Sequence, residues 1–143
     1  MRLFLDANVL FSAALNPGGN ARALFLLAEH RVVGLVASRF AIEEARRNIA
    51  VKHPERREEL ESLLASLELA AEQNPSLLAI ARAAGVVEKD APILGAAIGA
   101  RVDALVTGDR QHFGHLYEVL VEGVQVFLPA QALARVLDGI HDT

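Results

Sequence analysis

LFLDANVL, residues Leu3 to Leu10, is the stretch on which the fold turns. The apolar run RLFL, Arg2 to Leu5, suits a short buried strand and stops at Asp6, with Asn8 two places later. A strand that ends on a carboxylate raises the question of what lies beside it. VLFSAAL continues as one or two helical turns and halts at NPGGN, where Pro17, Gly18 and Gly19 mark a loop. Ala21 to Arg31 carries apolar residues at helical spacing, with Asn20 as its N-cap. GLVAS reads as a second strand. Ser38 ends it and caps the helix RFAIEEARRNIAVK, whose Phe40, Ile42, Ala45 and Ile49 turn inward and which His53 and Pro54 close.

The second half repeats the alternation. PERREELESLLASLELAAEQ begins with Pro54 at a helix start and is amphipathic; over Leu67 to Ala71 the pattern fits either more helix or a short edge strand. Ser76 to Gly85 is helical and stops at glycine, and Asp90 caps APILGAAIGAR, with Pro92 in its first turn. A third strand, Ala104 to Thr107, lies in DALVTGD; VQVFL, Val124 to Leu128, is a fourth; PAQALARVLDGI is a terminal helix. Asp103 either starts the third strand or pairs with Arg101. Strands alternating with helices imply a parallel α/β sheet covered on both faces, and such sheets bind ligands outside the carboxyl ends of their strands, where the winding reverses. Asp6 and Asp109 both emerge there.

Composition narrows the function classes. A chain of 143 residues, 52% hydrophobic and 22% charged, suits one globular domain spanning residues 1–143. With no cysteine there are no disulfides or thiolate metal sites, and cytoplasm is the expected compartment. Asp6 and Asn8 interrupt the apolar core that a secretory signal would need, and no stretch approaches the roughly 20 apolar residues of a membrane helix. The net charge of −4 gives no global attraction to nucleic acid, so such a partner must be held by a local basic patch or through metal. ARRNIAVKHPERR supplies Arg46, Arg47, Lys52, Arg56 and Arg57; this is either an RNA-binding patch or a cation-rich helix terminus followed by a solvated face.

Two more acids can join the first pair: Glu44, one and a half turns into the helix after Ser38, and Asp90 at a helix start. Four carboxylates gathered in one cleft repel one another and require a cation, and oxygen donors select magnesium or manganese over zinc. Such ions promote attack of water on a phosphodiester. Each acid also has a plainer role: Asp6 in a loop after a strand, Asp90 as a cap, and either Glu43 or Glu44 as a solvated helix residue. Asn8 and Thr107 can simply bond nearby backbone.

LDANVLFSAAL, SRFAIEEARRNI, KDAPILGAAI and LVTGDRQHF stand in the order and approximate spacing of PIN-domain proteins, and the chain resembles in particular the toxin-like components of toxin–antitoxin modules. The resemblance implies a three-layer α/β/α fold with a central parallel sheet of four or five strands in the order 3-2-1-4-5. It implies a magnesium- or manganese-dependent ribonuclease whose acids, catalytic and metal-holding, match Asp6, Glu44, Asp90 and Asp109. Asn8 is similar to the polar residue often found after the first acid, and Thr107 to the hydroxyl residue before the last. His112 and Phe113 depart from the pattern, since many relatives carry a further acid there; one or two ions remain open. Expected partners are an RNA substrate, a separate antitoxin chain and a second copy of the chain, because LFLLA and LESLLASLEL hold more leucine than one small sheet needs. A binding or regulatory PIN-like protein is the alternative. A phosphatase with Asp6 as nucleophile is a third reading, ranked low because Asn8 replaces the second aspartate. With aromatics at only 5%, recognition by RNA shape or backbone is expected rather than extensive stacking.

Overall fold

β1 (Arg2–Leu5) lies inside a parallel sheet in the computed structural model, which describes residues 1–71, 75–85, 91–109, 113–117 and 119–141. Its residues Leu3, Phe4 and Leu5 are fully buried, as a strand flanked on both sides and covered on both faces demands. From it the chain runs through α1 (Ala7–Leu15), α2 (Asn20–Glu29), β2 (Gly34–Ala37), α3 (Arg39–Lys52), a 3-10 turn at Pro54–Arg56, α4 (Arg57–Leu64) and β3 (Glu68–Leu69). It continues through α5 (Pro75–Ala83), α6 (Ala91–Gly99), β4 (Ala104–Val106), β5 (Leu120–Val121), β6 (Val124–Phe127) and α7 (Pro129–His141).

The described strands order as β3-β2-β1-β4-β6-β5, all parallel except β5 against β6. With β5 set aside, this is the expected order, 3-2-1-4-5. One open reading is decided, and one strand exceeds the four or five expected. Glu68–Leu69 resolves the ambiguous stretch as an edge strand on β2. β5 was missed: Glu122 and Gly123 both take positive φ, 48° and 83°, which makes the two-residue mirror-image turn whose twist suits a hairpin.

Right-handed crossovers from β1 to β2 to β3 place α1 to α4 on one face, and the return to β4 places α5 and α6 on the other. Contacts agree: α1 packs on α2, α3 and α4, α7 packs on α2, and α5 packs on α6, which touches β4. Among the described residues no helix is long and apolar enough to cross a membrane.

Four local expectations are corrected. Asn20 is the first residue of α2 rather than its cap, because Asn16 organises the loop: its side chain accepts from Gly18 N–H at 3.2 Å and its carbonyl from Gly19 N–H at 3.1 Å, so Gly19 becomes the cap. Phe40 is 46% exposed; the buried stripe of α3 is Ala41, Ala45 and Ile49, four residues apart, and Phe40 falls off it. The helix expected from Pro54 is a 3-10 turn and then α4, ending at Leu64 so that Ala70 N–H can reach the Ala37 carbonyl at 2.9 Å. Asp103 precedes β4 and accepts from the Arg2 backbone N–H at 2.7 Å instead of pairing with Arg101.

Candidate active site

The carboxyl ends of β1 and β4 lie side by side, with Leu5 opposite Val106 and Asp6 N–H donating to the Val106 carbonyl at 3.0 Å. That pairing brings Asp6 against Thr107. Asp6 is the N-cap of α1, and its Oδ1 accepts from Ala7 N–H at 2.8 Å. The other carboxylate oxygen accepts from the Thr107 hydroxyl at 2.8 Å and from Asn8 Nδ2 at 3.3 Å. Capping explains its position but not the use of the second oxygen.

Thr107 is fully buried and joins both loops: its Oγ1 also accepts from Asp109 N–H at 3.1 Å and from Asn8 Nδ2 at 3.2 Å. Asn8 Oδ1 accepts from Gly108 N–H at 2.8 Å. Tyr117 closes the network from outside by donating its hydroxyl to the Thr107 carbonyl at 2.8 Å. Asn8 and Thr107 therefore act on each other and on the acids as well as on backbone.

Asp6, Asn8, Glu44 and Asp109 line one cleft of about 240 Å³, together with Phe11, Asn48 and Lys52. Three of the four acids singled out in the sequence thus come from distant segments to one place. Glu43 does not; it lines a separate depression with Phe40, Leu69 and Ile93. Asp90 and His112 lie outside the described residues. Asn48 and Lys52 share the cleft because Glu44, Asn48 and Lys52 recur every fourth residue on α3, beside the buried stripe of Ala41, Ala45 and Ile49. That spacing was visible in the sequence and would have found Asn48; Phe11, one turn beyond Ala7 and Asn8 on α1, would have followed from the same reasoning.

The five cations expected to form a basic patch are placed differently. Arg46 makes a two-pronged pair with Glu61 on α4, Nε to Oε2 at 2.9 Å and Nη2 to Oε1 at 2.8 Å. The guanidinium holds the Glu61 carboxyl below its ordinary range, and the bond raises Arg46 in return. Arg47 and Arg57 are exposed and Arg56 is half-buried, none of them in the cleft. Only Lys52 of the five reaches it.

The cleft's acids offer oxygen donors alone, which suits a hard divalent ion. Among the described residues, however, no group of three or more His, Cys, Asp or Glu is gathered tightly enough to hold a metal. Magnesium commonly keeps several waters and uses one or two carboxylates, so the donor set fits an ion held partly through water.

A family model described as the PIN domain matches residues 2–111. The chain belongs to the PIN-domain family. The PIN domain's fold is also that of solved structures: PAE2754 from Pyrobaculum aerophilum, 19% identical with a TM-score of 0.65 over 96% of each chain, is one. A second is VapBC2 from Rickettsia felis bound to a DNA fragment from their promoter, 18% identical with a TM-score of 0.61, covering 88% of this chain and 97% of that one. FitAcB from Neisseria gonorrhoeae is a third, 22% identical with a TM-score of 0.55, covering 90% and 98%. At such identities the likeness concerns the fold. Comparison with curated protein sequences finds no match.

Proposed function

We propose that this PIN domain is a magnesium- or manganese-dependent endoribonuclease, with Asp6, Glu44, Asp90 and Asp109 as its catalytic and metal-holding acids. The observation that carries the reading is the meeting of Asp6, Glu44 and Asp109 around one cleft. Asp90 enters on the sequence motif, immediately before α6. A bound divalent ion would lower the pKa of water and neutralise charge developing on a phosphate.

The chain's own part is positioning. The Thr107 hydroxyl, the Asn8 amide and the Ala7 N–H all donate to the Asp6 carboxylate and fix its orientation. Thr107 holds the start of the Asp109 loop to the same carboxylate. Glu44, which lines the same cleft, would hold a water or take its proton. No covalent intermediate is needed.

The toxin-like sequence resemblance, together with likeness in fold to VapBC2 and FitAB, both solved with DNA fragments, supports a cytoplasmic toxin that works with a separate antitoxin chain. A homodimer belongs to the same proposal, with Leu26 and Leu69 among the exposed apolar residues available to be covered. A monomer mass by light scattering at micromolar concentration would remove the dimer alone.

A PIN-like binding protein without nuclease activity is the second reading, favoured by the loose spacing of the described acids. Incubating the purified protein with a pool of structured RNAs, in manganese, magnesium or chelator, separates the two. Cleavage should require the ion and vanish in Asp6→Asn. Cleavage that survives Asp6→Asn would expose a contaminant and leave the binding reading ahead.

A further inference from the structure

The cleft has one wall unlike the rest. Phe11 is its only aromatic lining residue among those described, and the ring is partly exposed. Lys52 Nζ stands 5.7 Å from the ring centroid, and the His53 ring packs at 6.0 Å, tilted by 56°. Lys52 shares the cleft with Asp6, Glu44 and Asp109, yet it makes no salt bridge with any described carboxylate. An ammonium in an acidic cleft that rests on a ring instead is held by a weak contact, worth little at an exposed site, and it remains available to an anion. Arg46, by contrast, is already committed to Glu61.

We propose that Phe11 and Lys52 form a nucleotide subsite for single-stranded RNA beside the acids: Lys52 takes a backbone phosphate, and the ring it leaves stacks against the neighbouring base. This rests on the ribonuclease reading and deepens it. The two interactions are physically separable. A lysine–phosphate contact releases counterions and sets the salt dependence of binding, whereas stacking depends little on salt. A paired base cannot present its face to Phe11, so an unpaired strand is required. Lys52 also sits in the last turn of α3, where any cation is favoured, and that purely structural role predicts no change in RNA binding.

The test is fluorescence anisotropy with a labelled single-stranded oligoribonucleotide in chelator, across a salt series, in an Asp109→Asn background that cannot cleave. Lys52→Ala should weaken binding and reduce the slope of log K against log salt by about 0.7, with Lys52→Arg retaining the slope. Phe11→Leu should weaken binding about fivefold or more at unchanged slope, while Phe11→Tyr, which keeps the ring, should bind like the parent. Arg31→Gln, before β2 at the opposite end of the sheet, controls for net charge. Melting curves confirm that each variant is folded. The proposal is overturned if Lys52→Ala matches Arg31→Gln in affinity and slope, if Phe11→Leu binds like the parent, or if duplex RNA binds as well as single strand. Because binding is read without metal, active cleavage with no Lys52 or Phe11 effect sinks the subsite alone. Subsite binding with no cleavage by the wild type sinks the nuclease reading alone.

Discussion

The two ends of β1 differ in burial and in the groups that hold them: Arg2 is half-exposed in an ion pair, and Asp6 is buried in a hydrogen-bond network. At the amino end, Arg2 is matched by opposite charge: its guanidinium pairs with Glu68 and donates to the Ala100 carbonyl at 2.8 Å, while its backbone N–H meets the Asp103 carboxylate at 2.7 Å. At the carboxyl end, Asp6 is buried and accepts from a hydroxyl, an amide and a backbone N–H. Several donors converging on one carboxylate fix its orientation. The first arrangement joins β3 to β1 at the surface; the second fixes a carboxylate at the edge of a cleft.

The sharpest way to break this contrast is to compare the two adjacent glutamates of α3. Glu44→Gln should lower RNA cleavage by about 100-fold or more, the scale expected when a preorganised charge is removed from a reacting site. Glu43→Gln, facing another depression, should stay within about twofold. Equal loss in both would mean that the cleft does not discriminate between them.

Thr107→Val keeps the shape and removes the hydroxyl that serves Asp6, Asn8 and Asp109. Leaving buried Asp6 and half-buried Asn8 and Asp109 short should cost ~1–3 kcal/mol in denaturant unfolding, and cleavage should fall by ~10- to 100-fold. If activity falls with no loss of stability, the threonine acts on chemistry alone and the buried network is weaker than its geometry suggests. At the other end, Arg2→Gln should cost at most ~1 kcal/mol, because the Glu68 pair is solvent-exposed, and the difference should shrink in high salt.

The smallest effect concerns Arg46 and Glu61. Glu61 titrates below its ordinary value in the folded protein, so the pair stabilises above the unfolded glutamate's pKa, and that contribution disappears as pH falls through the folded value. Both groups are exposed, so the loss should be only about 0.3–0.5 kcal/mol, read as a difference from Arg46→Gln/Glu61→Gln between pH 7 and pH 3. A larger difference would mean that the pair supports the α3–α4 packing more than an exposed ion pair does.

Legibility in the sequence followed the length of the signal. Apolar runs suited to burial on both faces made RLFL, GLVAS and VQVFL read as strands, and Ser38 announced α3 correctly by accepting from Ala41 N–H at 3.0 Å. The strands at Glu68–Leu69 and Leu120–Val121 are two residues each, too short for any periodicity to register, and only the Glu122–Gly123 pair hinted at the hairpin. Asp6, Glu44 and Asp109 were legible as separate motifs. Their union depended on the β1–β4 register and on a four-residue stripe of α3, which local spacing describes only when the buried face is already known. Lys52 was seen as a charge in a run; its separation from Arg46 comes from tertiary pairing with Glu61, on another helix.

The central claim is that the acids of the cleft hold a divalent ion, and thermal unfolding with and without manganese tests it most directly. An ion that binds only the folded state should raise stability by ~1–3 kcal/mol at several to a hundred times its Kd. Asp109→Asn removes one repelling charge and one ligand, so without metal it should melt no lower than wild type, and its response to manganese should fall sharply. Glu58→Gln, on the exposed surface of α4, should change neither property. If Asp109→Asn instead lost stability without metal and kept the full manganese shift, the carboxylate would be a structural element, and the account of the cleft as a metal-dependent nuclease centre would be contradicted.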